Sequence, residues 1–291
     1  MKILLTGITG YIGHTVIDHF KNSGFEVHGL VRKIVEHPHP GFYYHLLEKN
    51  NKNLKEIVLE VQPVVVVHIA SLFLASHTFE NIEDLIQSNI TFPTQLLEAM
   101  SVAGVKRFIN TGTSWQHYES ASYNPVNLYA ATKQAFEDII KYYVEAKHFS
   151  CITLKIFDSY GPNDQRSKLI SLLDRLSETQ DILDMSPGDQ KINLVHISDI
   201  CKAFEIAIHL IQQQAPGFSQ DYGLMSDKSV SLRELANLYE QENKCHLNIN
   251  WGGREYRERE VMTPADNLIR LPGWKAECSL STGLNKKNRN I

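Results

Sequence analysis

Short apolar runs alternate with helical patterns through the first half of the chain. Lys2–Leu5 is largely apolar and ends at a threonine and a glycine, so it predicts a buried strand. Apolar residues recur at helical spacing over Tyr11–Phe20, which predicts an amphipathic helix. Val64–Ala70 is apolar and rich in β-branched residues, and we expect a strand covered on both faces, as in a parallel sheet.

The same alternation continues to residue 157. Further strands are predicted over Phe25–Val31, Gly41–Leu47, Arg107–Thr111 and Ile152–Phe157. Helices are predicted over Leu54–Glu60, Asn81–Met100 and Leu128–Tyr143, with a kink or break at Pro93 in the second of them. Beyond residue 157, helices are predicted over Ile197–Gln212 and Leu232–Gln241. Alternating strands and helices predict an α/β fold, a Rossmann-type doubly wound parallel sheet with right-handed crossovers.

The pattern changes after the Tyr-Gly-Pro turn at 160–162, where segments become shorter and more polar. We therefore expect a dinucleotide-binding Rossmann domain over 1–157, to which 193–218 returns. Residues 158–291 are otherwise expected to form a smaller C-terminal lobe that binds the substrate and lies over the carboxyl edge of the sheet.

Composition and charge narrow the classes of function. Hydrophobic residues make up 43% of the 291 positions and the net charge is −4, which gives no basic surface for nucleic acid. No run of about 20 apolar residues is present, and the first apolar run is too short for a signal peptide, so we expect a cytoplasmic protein with no membrane partner. The four cysteines are scattered, and no CxxC or HExxH motif is present, so we expect reduced thiols and no metal site.

A glycine-rich segment connects the first predicted strand to the first predicted helix. Gly7 allows a tight turn, Gly10 lets the backbone approach a diphosphate, and Gly13 lets helix and strand pack closely. The helix N-terminus then offers N–H groups and a favourable dipole to the anion. The expected cofactor contacts of this segment are Gly7, Thr9, Gly10, Tyr11, Ile12 and Gly13. The alternative is a glycine-rich turn without a ligand.

The end of the second strand distinguishes NAD(H) from NADP(H). An acidic residue there would bind the ribose 2′-hydroxyl, but the chain has Arg32 and Lys33 after Val31. Two cations can neutralise a 2′-phosphate, so NADP(H) is favoured over NAD(H). The alternative is that both are ordinary surface cations.

The segment from 129 to 133 carries the candidate catalytic pair. Tyr129 and Lys133 are spaced i,i+4 at the start of a predicted helix and share one face. A nearby ammonium favours the phenolate, so we expect Lys133 to lower the pKa of Tyr129 and make it a proton shuttle. Thr113 and Ser114 follow a strand and are candidates for the hydroxyl that polarises a carbonyl. A bare YxxxK also occurs by chance, and this one gains weight from its position after the glycine motif.

The chain resembles the extended short-chain dehydrogenases/reductases of the NAD-dependent epimerase/dehydratase family. The resemblance covers nearly the whole chain and rests on TGITGYIG at 6–13, HIAS at 68–71, SNITFPTQLLEAM at 88–100, NTGTS at 110–114, YAATK at 129–133, KIFDSYGP at 155–162, VHISD at 195–199 and the late GW at 273–274. It implies catalysis by Tyr129, Lys133 and a hydroxyl at Thr113, with Ser114 as the substitute if the alignment slips by one. It also implies an active-site support at Asn89 and cofactor-lining residues at Ile69, Ala70, Ser71 and Phe157.

Departures from the family pattern concern the substrate. The Asp-Glu pair that eliminates water in 4,6-dehydratases is replaced by Ser114-Trp115 or Trp115-Gln116, so a dehydratase is not expected. Asp158 stands where the family commonly has asparagine, and we expect it to contact the substrate. Arg257, with Arg259 as its competitor, resembles a late arginine that binds a nucleotide diphosphate.

Within the family, the chain most resembles nucleotide-sugar 4-ketoreductases such as CDP-paratose and CDP-abequose synthases. The leading hypothesis is therefore NADPH-dependent reduction of the 4-keto group of a nucleotide-diphosphate 4-keto-6-deoxy (or 3,6-dideoxy) sugar. A nucleotide-sugar 4-epimerase with bound NAD and a non-catalytic NADP-binding regulator are the alternatives. The resemblance also implies a homodimer formed through the helices near 81–100 and 128–143.

Overall fold

A computed structural model of the chain describes residues 1–35, 41–179 and 181–289. Its strands are β1 (Lys2–Thr6), β2 (Glu26–Val31), β3 (Tyr43–Leu46), β4 (Val65–His68), β5 (Arg107–Thr113), β6 (Ser150–Ile156), β7 (Asp158–Tyr160), β8 (Leu183–Met185), β9 (Lys191–Ile192), β10 (Leu194–His196), β11 (Ser219–Leu224), β12 (Val230–Ser231) and β13 (Ile249–Trp251). Its α-helices are α1 (Tyr11–Asn22), α2 (Leu54–Val61), α3 (Asn81–Ile86), α4 (Phe92–Ala103), α5 (Leu128–Lys147), α6 (Leu169–Thr179), α7 (Ile197–Gln212), α8 (Leu232–Asn243), α9 (Leu280–Leu284) and α10 (Lys286–Arg289). Short 3-10 helices cover Lys49–Asn51, Ser114–Gln116 and Tyr118–Ser120, and a π-helical segment covers Gln87–Thr91.

Seven parallel strands form the central sheet in the order β11-β6-β5-β4-β1-β2-β3. Strand β1 lies between β2 and β4, and its residue Ile3 is paired with Val27 on one side and Val65 on the other. The chain therefore moves outward in opposite directions from β1, which opens a crevice beyond the carboxyl ends of β1 and β4. The predicted Rossmann-type α/β sheet is confirmed.

Alternating side chains of the sheet enter two separate cores. In β1, Ile3 and Leu5 pack with α1 and α7 on one face, whereas Leu4 packs with α2, α4 and α5 on the other. All three side chains have no exposed surface. An uninterrupted apolar strand is stable only when helices cover both faces, as they do here.

The C-terminal half contributes to the sheet and also forms a core of its own. Helix α7 begins and ends where it was predicted, and β11 pairs with β6 along its whole length. A third apolar cluster, around Tyr160, Leu173 and Tyr239, joins β7, α6 and α8. The division of the chain at residue 157 stays a prediction.

The helical stretch 81–103 passes Pro93 without breaking. Its two α-helical parts, α3 and α4, are joined by the π-helical segment 87–91 just ahead of the proline. Pro93 lacks the N–H that an α-helix would bond to the carbonyl of residue 89, and the wider π turn accommodates this loss.

Among the helices of the described ranges, none combines the length and apolar character needed to cross a bilayer.

Candidate active site

A cleft of about 700 Å³ opens at the carboxyl edge of the sheet. Most of the candidate site residues line it: Gly7, Thr9, Gly10, Tyr11, Ile12, Gly13, Arg32, Ile69, Ala70, Ser71, Thr113, Ser114, Tyr129, Lys133, Phe157 and Asp158. Three others, Lys33, Asn89 and Arg257, are not among the lining residues. The structure thus brings the glycine motif, the YxxxK pair and the strand ends to one place.

The glycine segment leaves no room for a side chain at Gly7 or Gly13. Gly7 has a φ of +75°, and a Cβ there would lie 2.6 Å from the backbone nitrogen of Ala70. A Cβ on Gly13 would lie 2.1 Å from the carbonyl oxygen of Gly7. In the described part of the chain, no side chain caps the N-terminus of α1 and its first turn holds no acid. This open helix end therefore fits the diphosphate of a dinucleotide.

The end of β2 places one cation in the cleft. Leu30, Val31 and Arg32 line it, and Asn50 and Asn51 approach from the 3-10 helix after β3. Lys33 is exposed outside the cleft, so Arg32 is the cation that a 2′-phosphate would meet first.

Tyr129 and Lys133 lie one turn apart on α5, and both side chains are buried. Burial raises the pKa of Tyr129 to about 12, and a hydrogen bond with Ser71 opposes that rise. Burial lowers the pKa of Lys133 to about 8, whereas the Glu137 carboxylate acts to raise it. The expected lowering of the Tyr129 pKa is therefore wrong, because desolvation is the larger effect and keeps the phenol protonated near neutral pH.

Asn89 supports the wall of the cleft from behind. Its Oδ1 accepts hydrogen bonds from the Leu72 backbone N–H at 2.8 Å and from the Ser71 hydroxyl at 3.1 Å. Its Nδ2 donates to the Leu72 carbonyl at 3.0 Å and to the Thr132 hydroxyl at 3.0 Å. Asn89 is 2% exposed. The π turn therefore directs this amide inward, where it fixes the segment that bonds Tyr129.

Thr113 ends β5 at the cleft and caps the 3-10 helix that follows. Its Oγ1 accepts a hydrogen bond from the Trp115 backbone N–H at 3.3 Å, so the hydroxyl proton can be donated elsewhere. The Thr113 backbone N–H donates to Gln116 Oε1 at 3.0 Å, and the Gln116 side chain is fully buried. Gln116 therefore has a structural role at a position where a dehydratase would need an acid or a base.

A buried ion pair beneath the site was not foreseen from the sequence. Lys155 Nζ lies 2.5 Å from Glu137 Oε2 and 3.3 Å from Asp221 Oδ2, and Lys155 is 1% exposed. Glu137 follows Lys133 by one further helical turn, which is the signal that could have identified it. This carboxylate offsets part of the desolvation of Lys133.

The substrate side of the cleft holds three further groups that the sequence did not indicate. These are Phe73, Arg166 and Lys168, which line it together with Trp115 and Asp158. Arg257 is exposed, but it lies near enough to Asp158 to act on its pKa. Its competitor Arg259 donates to Asn124 Oδ1 at 2.6 Å and packs on the Tyr118 ring, so its guanidinium is already engaged.

The profile of the NAD dependent epimerase/dehydratase family matches residues 3–218. The chain belongs to this family. It is accordingly an NAD(P)-dependent enzyme, and the resemblance inferred from its motifs is confirmed. The described residues contain no group of three or more histidine, cysteine, aspartate or glutamate side chains that could hold a metal ion.

Known relatives extend over the full length of the chain. A CDP-abequose synthase of Salmonella muenchen is 28% identical over 291 residues, which are 98% of this chain and 96% of that protein. The structure of MoeE5 with UDP-glucuronic acid and NAD has a TM-score of 0.85 at 22% identity and covers 98% of this chain and 96% of its own. A UDP-glucose 4-epimerase from Stenotrophomonas maltophila with bound NAD has a TM-score of 0.86 at 18% identity and covers 100% and 98%.

Proposed function

We propose that the chain is an NADPH-dependent reductase of the 4-keto group of a nucleotide-diphosphate 4-keto-6-deoxy (or 3,6-dideoxy) sugar. The observation that carries this proposal is the phenol of Tyr129, which is buried in the cleft one helical turn from Lys133. Reduction of a ketone needs a proton donor, whereas oxidation of an alcohol needs a base. A phenol with a pKa of about 12 suits the first role.

Three side chains divide the work at the carbonyl. Tyr129 donates its hydroxyl proton to the ketone oxygen, and Thr113, or Ser114 beside it, holds that oxygen by a second hydrogen bond. Lys133 favours the developing phenolate and holds the cofactor ribose. When bound, the nicotinamide supplies the hydride. Asn89 keeps Ser71 against Tyr129, so the phenol stays in one orientation.

NADP(H) is the cofactor we favour over NAD(H). Gly7, Gly10 and Gly13 would admit its diphosphate, with Thr9, Tyr11 and Ile12 beside them. Ile69, Ala70, Ser71 and Phe157 would line its nicotinamide half. Arg32 would pair with the 2′-phosphate, and β2 ends without the carboxylate that a ribose hydroxyl would need.

The likeness to a CDP-abequose synthase supports a keto-sugar nucleotide as the substrate. Asp158 and Arg257 would contact it at the outer part of the cleft. We also propose, on the family resemblance, a cytoplasmic homodimer assembled through the helical stretch 81–103 and α5.

The second candidate is a nucleotide-sugar 4-epimerase that retains NAD. The shared fold with UDP-glucose 4-epimerases is compatible with it. An epimerase first removes a proton from the sugar hydroxyl, for which Tyr129 would have to ionise. Stoichiometric NAD released from the denatured protein would favour this candidate.

The test is NADPH oxidation in the presence of CDP-, GDP- and dTDP-linked 4-keto-6-deoxy sugars, with NADH in parallel. Turnover with one sugar nucleotide, faster with NADPH, is the expected result. Absence of turnover with every sugar, together with copurified NAD, would reject the reductase in favour of the epimerase. Cofactor binding with no turnover in either assay would indicate a non-catalytic regulator.

A further inference from the structure

A cluster of opposite charges lies on the substrate side of the cleft. Asp158 begins β7, Arg166 and Lys168 precede α6, and Arg257 comes from the segment after β13. All three cations act electrostatically on the Asp158 carboxylate. Separate segments of the chain therefore converge on one carboxylate in the cleft wall.

The two cations before α6 differ in how they are held. Arg166 is engaged by Asp164, with Nε–Oδ1 and Nη2–Oδ2 distances of 2.7 Å, and by the Ser159 hydroxyl at 3.0 Å. The Lys168 ammonium has neither a hydrogen-bond acceptor nor an ion-pair partner among the described residues. It lies 5.3 Å from the centre of the Phe73 ring. Of these two cations, Lys168 is therefore the one that can bind a ligand without giving up a hydrogen bond.

Phe73 relates Lys168 to the reacting group. Its ring packs edge-on against the ring of Tyr129, with 5.0 Å between centroids. One phenyl ring thus separates the ammonium from the ring of the proton donor. In a nucleotide sugar, one pyranose ring separates C4 from the anomeric oxygen that carries the diphosphate. With C4 at Tyr129, the diphosphate would reach Lys168.

Asp158 would then be an acid in the cleft wall beside an anionic ligand. Burial raises its pKa, although Lys168, Arg166 and Arg257 each act to lower it. Asp164 is occupied by Arg166 and adds negative charge to the same neighbourhood. A diphosphate bound to Lys168 would neutralise the positive charge that stabilises the Asp158 carboxylate and would place negative charge beside it. Protonation of the carboxylate would remove the resulting repulsion between the two anions.

We infer that Lys168 binds the diphosphate of the nucleotide sugar and that Asp158 takes up one proton from solvent when it does. The inference rests on the proposed substrate class and adds two roles to it. Lys168 is the anion-binding residue, and Asp158 makes the affinity depend on pH. Because the complex holds the extra proton, affinity increases as the pH falls.

Calorimetry of the cofactor-saturated protein with CDP-, UDP- and dTDP-glucose tests both roles. These probes carry a diphosphate diester that does not titrate near neutral pH and no ketone to reduce. Titrations in two buffers of different ionisation enthalpy measure proton uptake. We expect uptake of up to one proton in the unaltered protein, depending on pH. In Asp158→Asn we expect no uptake and an affinity that does not depend on pH.

Lys168→Met is expected to weaken the best-binding probe at least about tenfold, because a charge-assisted contact is lost. The matched control is Lys202→Met, which removes the same charge from a surface lysine paired with Glu277 outside the cleft. It should change the affinity by less than about twofold. The affinity for NADPH should be unchanged in Lys168→Met, since the diphosphate of the cofactor would bind at the glycine segment and not at Lys168.

Several outcomes would overturn the inference. For Lys168→Met, these are an unchanged affinity for the sugar-nucleotide probes, or a loss of NADPH affinity in place of probe affinity. The others are proton uptake that persists in Asp158→Asn, and failure of the unaltered protein to bind any of the three probes. Failure of the proposed reductase would be seen separately, as absent turnover of keto sugars by a protein that still binds the probes through Lys168.

Discussion

The two ends of the cleft are built in different ways. At the cofactor end, one continuous segment, Gly7–Gly13, shapes the site mainly with its backbone. At the substrate end, side chains from separate segments meet, among them Phe73, Asp158 and Lys168. A backbone cradle leaves no room for a side chain at Gly7 or Gly13, and this requirement for glycine makes it recognisable in the sequence as a motif. A side-chain cluster can be changed residue by residue, so chemical specificity can vary there while cofactor binding stays constant.

Tyr129 lies between the two ends, and its loss should have the largest effect. Tyr129→Phe removes the proton donor, and we expect kcat to fall by about 10²–10⁴-fold while both ligands still bind. Keto-sugar turnover and NADPH titration measure this. Tyr142→Phe is the control, because Tyr142 lies on the same helix and is 56% exposed. A retained kcat in Tyr129→Phe would show that another group supplies the proton.

Gly13→Ala should affect the cofactor end alone. The added Cβ would lie 2.1 Å from the Gly7 carbonyl oxygen, so the loop must shift, at a cost of about 1–3 kcal/mol in the free energy of unfolding. NADPH affinity should fall with it, whereas sugar-nucleotide affinity should stay within a few-fold.

Gly24→Ala is the matched control, because Gly24 lies just beyond the other end of α1 and a Cβ there meets no atom. Its positive φ should cost about 1 kcal/mol or less without a change in NADPH affinity. Equal losses in the two variants would mean that the cradle is not the cofactor site.

Arg32→Ala sharpens the comparison within the cofactor end. Loss of a charge-assisted contact to the 2′-phosphate should lower the preference for NADPH over NADH by about 10–100-fold. Lys33→Ala changes the neighbouring cation outside the cleft and should alter the ratio less than about twofold. Steady-state kinetics with NADPH and with NADH measures this preference. An unchanged NADPH-to-NADH ratio of kcat/KM in Arg32→Ala would remove the basis for favouring NADP(H).

The pH dependence should be the smallest effect. Lys133 must be an ammonium to favour the phenolate, and its pKa of about 8 means that this charge is lost as the pH rises through that value. We expect kcat to decline above pH of about 8, by up to tenfold per pH unit. A kcat that stays level up to the ordinary pKa of lysine would show that Lys133 is not desolvated in the complex.

The sequence could predict those parts of the site that are local in the chain. The glycine segment and the Tyr129/Lys133 pair each lie within two turns of backbone, so spacing alone brings them together. Lys168 and Phe73 meet only through tertiary folding, and no periodic pattern marks them. The pKa of Tyr129 was mispredicted for a related reason, since spacing shows a nearby cation but not how much water both groups lose.

The edge strand β11 lies just beyond the part of the chain that the family profile matches. The family match ends at residue 218, and β11 begins at Ser219. A chain cut at that boundary would keep the glycine segment, the YxxxK pair and Lys168, yet would leave one side of β6 open to pair with another molecule. During synthesis, β6 can pair with β5 first and gains its second neighbour only once the chain has been made as far as residue 224, so until then one edge of β6 stays open to other chains.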